Sequence, residues 1–134
     1  MAIDYGTRRM GIAVTDPLQI IATPLTTIHP KDAIKFFKEY FLAEEVSLVV
    51  FGDPKQNDNS PSESKPALQA FMNLFKKQFP EMPLELIDER YTSKMAMRTM
   101  IDAGVKKKDR RDKSLIDRTA AVIILQSYMQ YKNG

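Results

Sequence analysis

The sequence predicts an α/β domain built on a five-stranded mixed sheet with helices on both faces. Three observations carry that reading. Apolar runs over residues 1–4 and 10–15 lie too close together for anything but an antiparallel hairpin. Beyond residue 30 the apolar period switches back and forth between helical and extended. "SLVVF" (Ser47 to Phe51) is a short continuous apolar run, as expected of a strand covered on both sides.

The first run ends at Asp4, and only Met1 to Ile3 precede it, so the first strand is short. Gly6 can supply the positive φ of a tight connection. "MGIAVT" (Met10 to Thr15) is a second strand, "DPLQ" a turn, and "IIATPLTTI" (Ile20 to Ile28) a third strand that Pro24 interrupts or confines to an edge. Together they form a three-strand antiparallel meander. Ile34, Phe37 and Phe41 recur at helical spacing between Lys31 and Glu44. After Ser47 to Phe51 comes a polar loop, "KQNDNSPSESK", long enough to carry a function. Leu68, Phe71, Leu74 and Phe75 mark the next helix, and "PLELID" (Pro83 to Asp88) a fifth strand. Thr92 is placed to cap a helix through Met97, Met100 and Ile101, closed by Gly104. A basic loop, "KKKDRRDK", leads into a last apolar helix from Ser114 to Tyr131. No repeat or linker divides residues 1–134, which are expected to form one domain.

Bulk composition narrows the chemistry. Hydrophobic content is 43% and charged content 28%, ordinary for a water-soluble domain. There is no cysteine, which removes disulfides and thiolate metal sites and agrees with a cytoplasmic location. The single histidine, His29, precedes Pro30 and is expected to be a solvated loop residue. No apolar run reaches membrane-spanning length, and the first residues lack the layout of a signal peptide. The formal net charge is only +3, but residues 90–118 hold ten of the twenty cations against four acids. Such asymmetry suits a phosphate backbone, although a solvated helix face would look the same.

Carboxylates stand at the ends of elements. Asp4 ends the first strand, Asp88 and Glu89 the fifth, and Asp117 lies in the first turn of the last helix. Ala121, Ile124, Leu125 and Tyr128 follow Asp117 on one stripe, which places that carboxylate on the buried side. Each acid has an ordinary explanation: an Asx turn at Asp4, a surface pair between Glu89 and Arg90, a capping box in Ser114-x-x-Asp117. Three acids converging from three elements, however, repel one another unless a cation lies among them. Mg²⁺ suits that arrangement, and two such ions clamp the attacking and leaving oxygens of a phosphoryl displacement.

"AIDYGTRRMGIAVTD", "VVFGDP", "IDERYTS" and "KKKDRRDKSLIDRTAAVIILQSY" together resemble the YqgF (RuvX-like) family, which has the ribonuclease H-like fold. Its members are described as Holliday-junction resolvases and as nucleases of pre-16S ribosomal RNA. The resemblance covers nearly the whole chain. It implies a cytoplasmic, Mg²⁺- or Mn²⁺-dependent nuclease acting on structured RNA in ribosome biogenesis, in contact with pre-ribosomal particles. It matches Asp4, Glu89 and Asp117 to the catalytic and metal-binding acids, with Asp88 the rival for the second place. Arg8, Arg9 and Arg90 match basic positions near the site, and Lys106, Lys107, Lys108, Arg110, Arg111 and Lys113 supply further candidates for nucleic-acid contact. Where the family usually carries Gly-Leu-Pro, this chain has Gly52-Asp53-Pro54. Asp53 is therefore either a fourth ligand or a turn residue. Two alternatives stand beside an RNA nuclease. One is a resolvase of branched DNA, which needs two symmetric active sites. The other is an RNA-binding assembly protein without catalysis.

Overall fold

A computed structural model describes residues 1–54, 65–89 and 113–133. The strands are β1 (Ala2–Asp4), β2 (Met10–Thr15), β3 (Ala22–Ile28), β4 (Val49–Pro54) and β5 (Leu84–Glu89). The helices are α1 (Ala33–Ala43), α2 (Lys65–Gln78) and α3 (Lys113–Asn133). The sheet order is β3-β2-β1-β4-β5. β1, β2 and β3 pair antiparallel, whereas β4 runs parallel to both β1 and β5. This five-stranded mixed sheet agrees with a ribonuclease H-like fold.

Strand alternation divides the sheet into two faces. Ile3, Met10, Ile12, Val49 and Phe51 pack with Phe37 of α1 and with Leu68, Phe71, Met72 and Phe75 of α2. Ala2, Ala13 and Val50 face the other way, against Ala121, Ile124, Leu125 and Tyr128 of α3. The first face is filled by aromatic rings and the second by small residues. α3 can therefore lie closer to the sheet than a helix seated on bulky side chains.

Several element boundaries shift from the sequence reading. A short 3₁₀ turn, Pro30–Asp32, precedes α1, because proline suits the first turn and His29 Nδ1 accepts the Lys31 N–H at 3.1 Å. β4 runs on to Pro54 and β5 to Glu89, both held by their mutual parallel ladder. Leu74 is 44% exposed, since the buried stripe of α2 is Leu68, Phe71, Met72 and Phe75, and Leu74 falls at its flank. β3 is the edge strand, and Pro24 sits beside the register shift between Ile12 and Ala13 where the ladder is already irregular. β3 begins at Ala22; Ile20 and Ile21 belong to the preceding turn. There the Asp16 carboxylate accepts backbone N–H bonds from Leu18, Ile20 and Ile21 at 3.2, 2.8 and 2.6 Å. The reading that Thr92 caps a further helix falls outside the described residues.

Phe75 stands at the centre of the aromatic face, with ring centroids 5.4 Å from Phe37, 5.9 Å from Phe51 and 4.9 Å from Phe79. Truncation of Phe75 to alanine should cost about 3–5 kcal/mol, read as a lower urea midpoint with an unchanged slope. The N–H bonds at Asp16, that of Ile21 foremost, hold its carboxyl pKa below the ordinary value. A group depressed in this way stabilises the fold above its unfolded pKa and loses that effect as pH falls through its folded pKa. Asp16→Ala should therefore melt below the parent at neutral pH, and the gap should close as acid protonates the parent's carboxylate.

Candidate active site

The carboxyl end of β1 lies at the centre of the sheet, between β2 and β4. Ala2 packs against α3, so Asp4, two residues on, falls on the same face. Across the antiparallel ladder Asp4 is paired with Gly11. A Cβ placed on Gly11 would lie 2.0 Å from the Asp117 carbonyl oxygen and 2.9 Å from the Arg118 nitrogen. The backbone of α3 at Asp117 thus rests directly on β2, beside the strand position that carries Asp4. Because position 11 has no side chain, the α3 backbone at Asp117 approaches the strand position paired with Asp4, 113 positions away in the chain.

Asp117 sits one or two residues further into its helix than the sequence suggests. α3 is already helical at Lys113, so Ser114 is an internal residue and a capping box onto Asp117 is displaced. The buried stripe is as expected: Ala121, Ile124, Leu125 and Tyr128 are all buried, and the Asp117 side chain is 18% exposed. Arg9 Nε donates to Asp117 Oδ2 at 2.7 Å, a contact between β2's approach and α3 that spans 108 residues. The Arg9 side chain is 41% exposed, whereas Arg8 is exposed without a described partner. Gly6 serves this connection differently from the sequence expectation. It has no positive φ; instead a Cβ there would come 2.6 Å from the Arg9 carbonyl oxygen. The tight approach fixes the backbone from which Arg9 extends.

The remaining acids separate by strand phase. Asp53 shares the phase of Val49 and Phe51, on the aromatic face, and is buried. Lys65, the first residue of α2, donates to Asp53 Oδ1 at 2.7 Å. Asp53 is thus engaged on the face away from Asp4 and Asp117. In β5, Ile87 belongs to the α3 face and Leu84 to the aromatic face. Position 89 is in phase with Ile87, and position 88, paired with Asp53 in the ladder, is in phase with Leu84. Lys113 begins α3, while Arg90, Lys106, Lys107, Lys108, Arg110 and Arg111 lie outside the described residues.

Among the described residues no group of three or more histidine, aspartate or glutamate side chains forms a ready metal cage. The candidate donors are Asp4, at the carboxyl end of the central strand β1, and Asp117 of α3. Such a pair suits a hard cation that takes one or two carboxylates and fills its shell with water and substrate oxygens. Sequence reading found both acids but not Gly11. A glycine inside a strand is the available signal, since it marks close approach of another backbone. Gly11→Ala should push α3 off the sheet, lower stability by about 1–3 kcal/mol and separate the two acids, seen as a reduced melting temperature together with lost activity.

Comparison with known proteins agrees with this geometry. Residues 1–131 match the family described as "RuvX: Holliday junction resolvase". A relative from Christiangramia forsetii is 53% identical over 129 residues, covering 96% of each chain. One from Flavobacterium psychrophilum is 50% identical over 132 residues, covering 98% of this chain and 96% of its own. A third, from Bacteroides thetaiotaomicron, is 48% identical with the same coverage. All three bear the name "Putative pre-16S rRNA nuclease". With a whole-chain match, close relatives and the paired acids at the centre of its sheet, the chain belongs to the RuvX family.

Proposed function

We propose that this chain is a metal-dependent nuclease that hydrolyses phosphodiester bonds of structured RNA, with maturation of the 5′ end of pre-16S rRNA as its reaction. The observation that carries the reading is the close approach of the α3 backbone at Asp117 to Gly11, the ladder partner of Asp4 at the carboxyl end of β1. The names of the relatives support the RNA substrate. Residues 1–134 act as one nuclease domain in the cytoplasm, in contact with pre-ribosomal particles. No described helix is long and apolar enough to cross a membrane.

Asp4 and Asp117 would hold Mg²⁺ or Mn²⁺, with Glu89 as the third acid. Strand phase favours Glu89 over Asp88, because position 89 shares the α3 face with Ile87. Asp53 is assigned to Lys65 rather than to a metal. Cations held there would supply the acidification of a water and the offset of negative charge that phosphodiester hydrolysis needs. The protein's own part is orientation. β1 is held between β2 and β4 and places Asp4 opposite Gly11, and the packing of α3 fixes Asp117. Arg8, Arg9 and Arg90, with Lys106, Lys107, Lys108, Arg110, Arg111 and Lys113, supply cations for the backbone of the bound strand, so binding should weaken with salt.

The family description supports a second reading, resolution of four-way DNA junctions. A cleavage assay separates the two by offering a pre-16S 5′-leader RNA and a four-way junction side by side, with Mg²⁺, with Mn²⁺ and with chelator. The expected result is metal-dependent cutting of the RNA. Asp4→Asn, Asp117→Asn and Glu89→Gln should each lose more than about 100-fold in rate with melting temperatures near the parent's, and Asp88→Asn should stay active. Undiminished cleavage by Asp4→Asn would remove the site assignment. Cutting of the junction alone would move the substrate to DNA.

A further inference from the structure

We propose that Arg9 competes with a divalent cation for Asp117, and that its guanidinium passes from Asp117 to a substrate phosphate as the site is loaded. Metal and nucleic acid are then bound cooperatively. The inference rests on the nuclease reading above.

The Asp117 side chain is largely withdrawn from water at 18% exposure. A carboxylate so placed is stabilised by a cation beside it. Arg9 supplies it, with Nε 2.7 Å from Oδ2. A carboxylate oxygen already bonded to a guanidinium is a poorer ligand for a divalent ion, and the two cations repel at that distance. Arg9 therefore lowers metal affinity when nucleic acid is absent. Its other properties suit a transfer. At 41% exposure its side chain reaches solvent, and a guanidinium has five N–H donors in a fork that matches phosphate. Its backbone is held by the close contact with Gly6, so the exchange takes place in the side chain alone. A phosphate that draws Arg9 away removes its competition for Asp117 Oδ2, and by linkage a bound metal raises affinity for the phosphate.

The test uses the full chain. Mn²⁺ is titrated calorimetrically into the parent, Arg9→Gln, Arg9→Lys and Asp117→Asn, each checked by thermal melting. Binding of a fluorescent RNA hairpin is followed by anisotropy with chelator and with Ca²⁺. Arg9→Gln should bind Mn²⁺ roughly three- to tenfold more tightly than the parent without RNA. It should also bind the hairpin more weakly, and Ca²⁺ should improve its RNA affinity by a smaller factor than the parent's. Arg9→Lys, which keeps the charge, should lie between the two. Mn²⁺ affinity in Arg9→Gln that equals or falls below the parent's overturns the proposal. If that happens while Asp117→Asn abolishes Mn²⁺ binding, the metal site stands and only the role of Arg9 is lost. If Asp117→Asn binds Mn²⁺ like the parent, the nuclease site itself is wrongly assigned.

Discussion

The missing side chain at position 11 is the constraint on which the rest of this site depends. An α-helix seated on a sheet is normally held away by the side chains between them. Here the Asp117 carbonyl occupies the space that a Cβ of Gly11 would fill. The small residues Ala2, Ala13 and Ala121 continue the same close contact along the helix. Because Gly11 is the ladder partner of Asp4, the close approach of α3 to the sheet falls beside the strand position of Asp4. Helix packing and the placement of the two candidate acids depend on the same residue. The opposite face has the contrary design, with Phe37, Phe51, Phe71 and Phe75 supplying bulk and most of the buried apolar area.

Much of this was legible in the chain. The meander, the buried strand β4 and the stripe on α3 follow from period alone, and they fix which end of the sheet collects the acids. Asp4 and Asp117 could be singled out because each stands at an element boundary or on a buried face, where a carboxylate is costly. Other features could not be read in the same way. The Arg9–Asp117 pair joins residues 108 apart, and no local pattern encodes it. The turn at Asp16 reaches past "DPLQ" to Ile20 and Ile21, which their apolar character assigns to β3. Three backbone N–H bonds to one carboxylate outweigh that propensity and leave both residues exposed.

Strand phase lay between these extremes. Asp53, Asp88 and Glu89 look equivalent in sequence, as acids at the ends of adjacent strands. Alternation separates them once Ile87 and Phe51 are assigned to opposite faces. Asp53 then meets Lys65 at the start of α2, an element packed on the aromatic side. An acid at a strand end is therefore an ambiguous signal until its neighbours two residues back are assigned. The period-2 rule supplies that assignment, but only after both helical layers are known.

β1 is three residues long, yet it is central and flanked on both sides. Ile3 serves the aromatic core and Asp4 the face of α3. A slip of one residue would exchange them, putting a carboxylate among phenylalanines and an isoleucine over Gly11. Either half of that exchange is strongly unfavourable, so the hydrophobic core acts as a gauge for where Asp4 stands. Insertions or deletions between Ala2 and Met10 are then felt twice, as a damaged core and as a displaced carboxylate, and this short segment should tolerate changes of residue far better than changes of length.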